Sequence, residues 1–121
     1  MALAVGGCDE SVTGPSLNEE FTMAPGEIAS VADANIRVRF ERVEGDSRCP
    51  ADATCIQGGD ALVHISVLEG SASTPYELHT GSMAPVQHHD LTIGLVDLQP
   101  YPFSSRTIEP GDYRATLRVT R

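Results

Sequence analysis

The chain has no lysine and no tryptophan, and only three phenylalanines, three tyrosines and three cysteines. All eight basic residues are arginine, against 17 acidic ones, for a formal charge of -9. A nucleic-acid binder needs a basic patch to displace counterions from phosphates, and none is present. The nearest approach, Arg37, Arg39 and Arg42, is interleaved with Glu41 and Glu44 and reads as a solvated strand face. The same acidity works against attraction to anionic lipid. No apolar run reaches the roughly 18 residues of a membrane-spanning helix. There is no G-x-S-x-G elbow, no P-loop and no dinucleotide fingerprint. No catalytic residue and no cofactor are therefore assigned, and an enzyme is not expected. At 121 residues the chain is long enough for one domain and too short for two.

Alternation of apolar and polar residues with period two is abundant. In NIRVRFERV, Ile36, Val38 and Phe40 alternate with Arg37, Arg39 and Glu41. In ALVHISVL the inward set is Val63, Ile65 and Val67; in YELHT it is Tyr76 and Leu78. LTIGLVDL places Leu91, Ile93 and Leu95 in one phase, then Val96 and Leu98 in a shifted one, which predicts a bulge beside Gly94. DYRATLRVT presents Tyr113, Ala115, Leu117 and Val119. Two weaker strands fall at residues 21–23 and 28–31, around a turn at Pro25 and Gly26. No segment carries apolar residues at helical spacing. About seven short strands, each with one apolar face, predict an all-β fold: a single antiparallel β-sandwich with one small core.

The cysteines divide into one and two. Cys49 and Cys55 enclose five residues, PADAT, too many for a C-x-x-C redox pair. A structural zinc site requires two more ligands close by, and the nearest histidine in sequence is His64. The pair is read as a structural disulfide in a loop of turn formers, where Asp46 and Arg48 are placed to pair. Closing a loop of roughly seven residues stabilises the fold by about 2.4 kcal/mol in the chain-entropy model. The third cysteine, Cys8, follows AVGG and precedes Asp9 and Glu10.

AVGGC resembles a bacterial lipobox, with Cys8 as the lipidated residue. That resemblance implies that residues 1–8 are the remnant of a lipoprotein signal whose upstream part precedes Met1. Residues 9–18, polar and containing Gly14-Pro15, read as a flexible tether reaching roughly 15–20 Å. Residues 19–121 form the domain. The implied location is the bacterial cell envelope, anchored to membrane through Cys8 and facing the periplasm or the exterior. Asp9, directly after Cys8, resembles the inner-membrane retention signal of enteric-type bacteria. An oxidising compartment also suits a disulfide.

At DSRCPADATCIQGGDALVHI the chain resembles a group of small, functionally uncharacterised bacterial lipoproteins whose cysteine loop reads DSRCP, C, an aliphatic residue and Trp-Ala-Gly. LVDLQPYP and YRATLRV extend the likeness, while Gln57 and Gly58 stand where that group has Trp and Ala. The resemblance implies a lipoprotein with a β-domain and brings no activity with it.

Two surfaces remain. VQHHDL places His88 beside Asp90, with His79 a third candidate ligand and Met83 close in sequence; histidine and carboxylate suit zinc or copper. The plainer reading of this segment is an exposed loop. The run Pro100, Tyr101, Pro102, Phe103 reads as a plug for the end of the sandwich, since a core without tryptophan needs its few aromatics. The expected function is a non-enzymatic, lipid-anchored accessory or interaction domain of the envelope, with a protein partner near the membrane. The alternative is a periplasmic copper- or zinc-binding protein using His79, His88 and Asp90.

Overall fold

The fold is that of a computed structural model, which describes residues 15–56 and 59–121. Cys8, the lipobox residues and tether residues 9–14 lie outside the described residues, as do Gln57 and Gly58. Among the described residues eight strands form: β1 (Glu20–Met23), β2 (Ile28–Val31), β3 (Ile36–Glu44), β4 (Leu62–Glu69), β5 (Ala72–His79), β6 (Val86–His88), β7 (Leu91–Gln99) and β8 (Arg114–Thr120). They make two four-stranded antiparallel sheets, ordered β1-β8-β7-β6 and β2-β3-β4-β5. The fold is the all-β sandwich that the alternation predicts. Among the described residues no helix is long and apolar enough to cross a membrane.

Most of the predicted inward residues meet between the sheets, but Val96 lines the surface beside the β7 bulge and Tyr76 is only partly buried. Ile36, Val38, Phe40, Val63, Ile65, Val67 and Leu78 face Leu91, Ile93, Leu95, Leu98, Ala115, Leu117 and Val119 in one core. The turn at residues 24–27 carries the chain from one sheet to the other, so β1 and β2 pair with different partners. The connection from β5 to β6 crosses back. Both crossings are what a two-layer β fold needs to close without leaving an apolar face exposed.

Several local features depart from the sequence reading. The strand beyond the expected seven is β6, whose three residues are too few to show alternation. The bulge in β7 falls between Leu95 and Asp97 rather than beside Gly94, because Gly94 stays in register opposite Arg118 and Val96 is the extra residue. A second bulge, between Phe40 and Arg42, turns Glu41 toward Ser66, whose hydroxyl donates to the Glu41 carboxylate at 2.8 Å. Packed structure also begins before residue 19. Pro15 O accepts from Ala32 N at 2.8 Å, Asn18 N donates to Val119 O at 2.8 Å, and Leu17 packs on the core.

The packing predicts a sharp contrast along two paired strands. Phe40→Ala, at a fully buried position of β3, is expected to cost about 3–5 kcal/mol. Ile28→Ala, on the exposed face of β2, is expected to cost less than about 1 kcal/mol. Urea unfolding of the two variants checks this, and similar losses would mean that the two positions do not differ in burial.

Candidate functional site

The connection from β3 to β4 is a loop stapled upon itself and fastened to the end of the sandwich. Cys49 and Cys55 are disulfide-bonded, with Cα atoms 6.1 Å apart. Just before the staple, Arg48 and Asp46 form a two-pronged ion pair, Nε to Oδ1 and Nη2 to Oδ2, each at 2.8 Å. Arg48 then donates to two backbone carbonyls, Leu98 O near the end of β7 at 2.9 Å and Pro100 O just beyond it at 3.0 Å. From just before β8, the Tyr113 hydroxyl donates to Asp46 Oδ2 at 2.8 Å. The charged side chains are only 9% and 14% exposed, so the pair sits mostly out of water.

A second network closes the neighbouring strand ends. Ser47 N donates to Asp60 O at 2.7 Å, and Asp60 N to Ser47 Oγ at 3.0 Å. The Asp60 carboxylate accepts from Gly81 N and faces His79 Nδ1, both at 2.7 Å. Gly59 has φ +72°, and a Cβ there would fall 1.8 Å from Ser47 O, so only glycine lets these two backbones meet.

The predicted plug is not one. Tyr101 and Phe103 are 53% and 43% exposed, because Arg48 and the largely buried Tyr113 already fill this end. The turn instead leans on the stapled loop. Ala51 N donates to Pro102 O at 2.7 Å, and Ser104 donates through its N and Oγ to the Asp52 carboxylate at 2.9 and 2.5 Å. Those bonds hold Asp52 below its ordinary pKa. Between the two segments and the β5–β6 connection lies an open cleft of about 450 Å³, lined by Arg48, Thr80, Met83, Val96, Leu98 and Tyr101 among others. Arg48 stands 6.0 Å from the Tyr101 ring centre. Asp97, at the rim, accepts from Leu98 N, Gln99 Nε2 and the Tyr101 hydroxyl. The arrangement offers an apolar floor, one aromatic wall and fixed charges that already have partners. Such a surface is suited to contact.

The three expected metal candidates do not meet. His79 pairs with Asp60, and Asp90 Oδ2 accepts from Arg121 Nε at 2.9 Å. His88 reaches Tyr76 and Glu69 instead, and His89 also faces Glu69. Among the described residues, Glu69, His88 and His89 are the one group of three or more such donors close enough to share an ion. Glu69 stands 19 residues before His88 in the chain and in the other sheet, so no local motif announces it.

Burial pushes the Asp46 carboxyl upward, but the hydrogen bonds from Arg48 and Tyr113 and the Arg48 charge outweigh it and leave Asp46 below its ordinary 3.8. Its contribution to stability is therefore present above pH 3.8 and is lost as pH falls through the lowered value. Burial and the Asp46 carboxylate push Tyr113 up to about 12. The folded state holds that phenolic proton more tightly than the unfolded chain, so its contribution is full below pH 10 and is lost as pH rises through about 12. An ultraviolet titration is expected to show one of the three tyrosines ionising near pH 12. Asp46→Asn is expected to lower that midpoint. A Tyr113 transition near pH 10 would mean that Tyr113 does not hold this contact.

The chain matches no protein-family model, no curated protein and no solved structure.

Proposed function

We propose that this chain is a lipid-anchored, non-enzymatic interaction domain of the bacterial cell envelope. In this reading Cys8 holds it to a membrane, and the stapled end of the sandwich meets a protein partner close by. The observation that carries the proposal is the cysteine pairing. Cys49 and Cys55 are bonded to each other, so of three cysteines Cys8 is the one left over, in a sequence that resembles a lipobox. Disulfides persist in oxidising compartments, where bacterial lipoproteins are displayed. Two or more acyl chains anchor stably, at roughly 0.8 kcal/mol per buried methylene.

The surface supports the second half of the reading. Tyr101, Phe103 and Ile56 are exposed large apolar residues on two segments that are hydrogen-bonded to each other. Aromatic residues held on a rigid support are favoured anchors at protein interfaces. With a net charge of -9, the chain favours a partner with a basic surface.

Fractionation of cells expressing the full-length precursor tests the anchor. The protein is expected in the membrane fraction, with Cys8→Ser in the soluble fraction. Crosslinking from those membranes is expected to capture a partner that Tyr101→Ser with Phe103→Ser loses. A Cys8→Ser variant that remains with the membranes would refute the anchor, and capture unaffected by the aromatic changes would refute the contact surface.

A further inference from the structure

Glu69, His88 and His89 converge at the end of the sandwich opposite the stapled loop. Glu69 closes β4, whose first residue, Leu62, lies beside that loop. His88 ends β6, and His89 is the first of two residues that turn the chain into β7. One carboxylate oxygen and two imidazole nitrogens lie within 4.8 Å of one another. Glu69 Oε1 is 3.0 Å from His88 Nε2 and 3.6 Å from His89 Nε2.

Adjacent residues of a regular strand point to opposite faces, which argues against a shared ligand from neighbouring histidines. His89 escapes that rule because its φ is 57°, in the left-handed region. Its ring is thereby brought beside that of His88, with centroids 4.5 Å apart. The first position of a two-residue hairpin with positive φ favours glycine, and an L-residue there is held at a backbone cost. Here the strained residue is one that brings an imidazole to a carboxylate and a second imidazole.

His88 is held in a ligand's orientation. Its side chain is 5% exposed, and its Nδ1 lies 2.8 Å from the Tyr76 hydroxyl. In the tautomer with the proton on Nδ1, that N–H donates to the Tyr76 oxygen and Nε2 turns its lone pair toward the Glu69 carboxylate. A cation between these two lone-pair donors, 3.0 Å apart, selects that tautomer; in the other, Nε2–H donates to Glu69 and the Tyr76 hydroxyl donates to Nδ1, so the same contacts hold the ring in place without metal. A hydrogen bond on the second ring nitrogen is also what fixes metal-ligating imidazoles in place.

We propose that Glu69, His88 and His89 bind one divalent transition-metal ion, with Zn²⁺ and Cu²⁺ as the suited ions. Two imidazoles and a carboxylate match these ions, whereas Ca²⁺ and Mg²⁺ require oxygen ligands. Tetrahedral ligands about 2.0–2.1 Å from zinc lie about 3.3 Å apart, and the observed 3.0 and 3.6 Å bracket that spacing. His89 and Glu69 are 72% and 47% exposed, so the fourth position faces solvent and takes water or a donor from another molecule. The proposal does not rest on the lipid anchor. Of the trio expected from sequence it keeps His88, and it replaces His79 and Asp90 with His89 and Glu69.

Calorimetric titration of the whole chain with Zn²⁺ alone is expected to show one ion per chain and a Tm that rises with zinc, by mass action on the folded state. Ca²⁺ and Mg²⁺ are expected to produce neither. His89→Gly separates binding from folding, because it removes a ligand and relieves the left-handed turn together. Without metal its Tm should equal or exceed that of the parent, while zinc binding is lost. Glu69→Gln is expected to lose binding as well, and Tyr76→Phe to weaken it about 10–100-fold. His79→Ala and Asp90→Asn should bind as the parent does. The proposal is overturned if neither Zn²⁺ nor Cu²⁺ binds, if His89→Gly binds zinc undiminished, or if His79→Ala abolishes binding.

Discussion

The pairing of Arg48 with Asp46 is the interaction on which the architecture of the stapled end depends. A guanidinium and a carboxylate removed from water are unfavourable unless every donor and acceptor is met. Here the guanidinium donates to Asp46 twice, to Leu98 O and to Pro100 O, while Asp46 also accepts from Tyr113. Three separate stretches of chain are tied at one point: the loop after β3, the end of β7 and the residue just before β8. The disulfide has a narrower role. It joins residues six apart and so restrains only the loop that contains it. The ion pair is what attaches that loop to the sandwich. Among the described residues, no buried side-chain nitrogen or oxygen lacks a partner, the condition under which a polar core at a sheet end is tolerated.

With the loop fixed, the aromatic turn that follows β7 has something rigid to lean on. Tyr101 and Phe103 are held outward by contacts among Ala51, Asp52, Pro102 and Ser104 rather than collapsing onto the core. Exposed apolar groups on a stiff support lose little entropy on binding, which favours recognition by contact. The Glu69, His88 and His89 cluster belongs to the other end, separated by the length of β4, roughly 23 Å for a strand of eight residues. The two surfaces share a frame and no residues, so each stands or falls on its own.

The core was legible because one strand face carries its own signature. Tyr113, Ala115, Leu117 and Val119 alternate without interruption, and all four are buried. The Asp46 and Arg48 pair was legible because the two stand only two residues apart in one loop. What escaped depends on contacts between distant segments. Ser66 is buried although it sits in a polar phase, since a bulge brings Glu41 over it. The aromatic turn was assigned to the core because a chain without tryptophan needs bulk there, yet Tyr113 and the aliphatic part of Arg48 supply it. His88 could be singled out from its neighbours, but its partner Glu69 approaches only when the two sheets close, and a positive φ at His89 is not announced by the letters HHD.

The central claim is that Asp46 and Arg48 act as one unit in fastening the loop. A double-mutant cycle of Asp46→Ala and Arg48→Ala, read by urea unfolding with the disulfide intact, measures this directly. The account predicts that either single change costs about 3 kcal/mol or more by leaving a charge buried and unpaired. The double change should then cost much less than the sum, with a coupling of about 2 kcal/mol or more. Additive losses, agreeing within about 0.5 kcal/mol, would contradict it and leave the bonds of Ser47 to Asp60, Ala51 to Pro102 and Ser104 to Asp52 as the fastening of that loop.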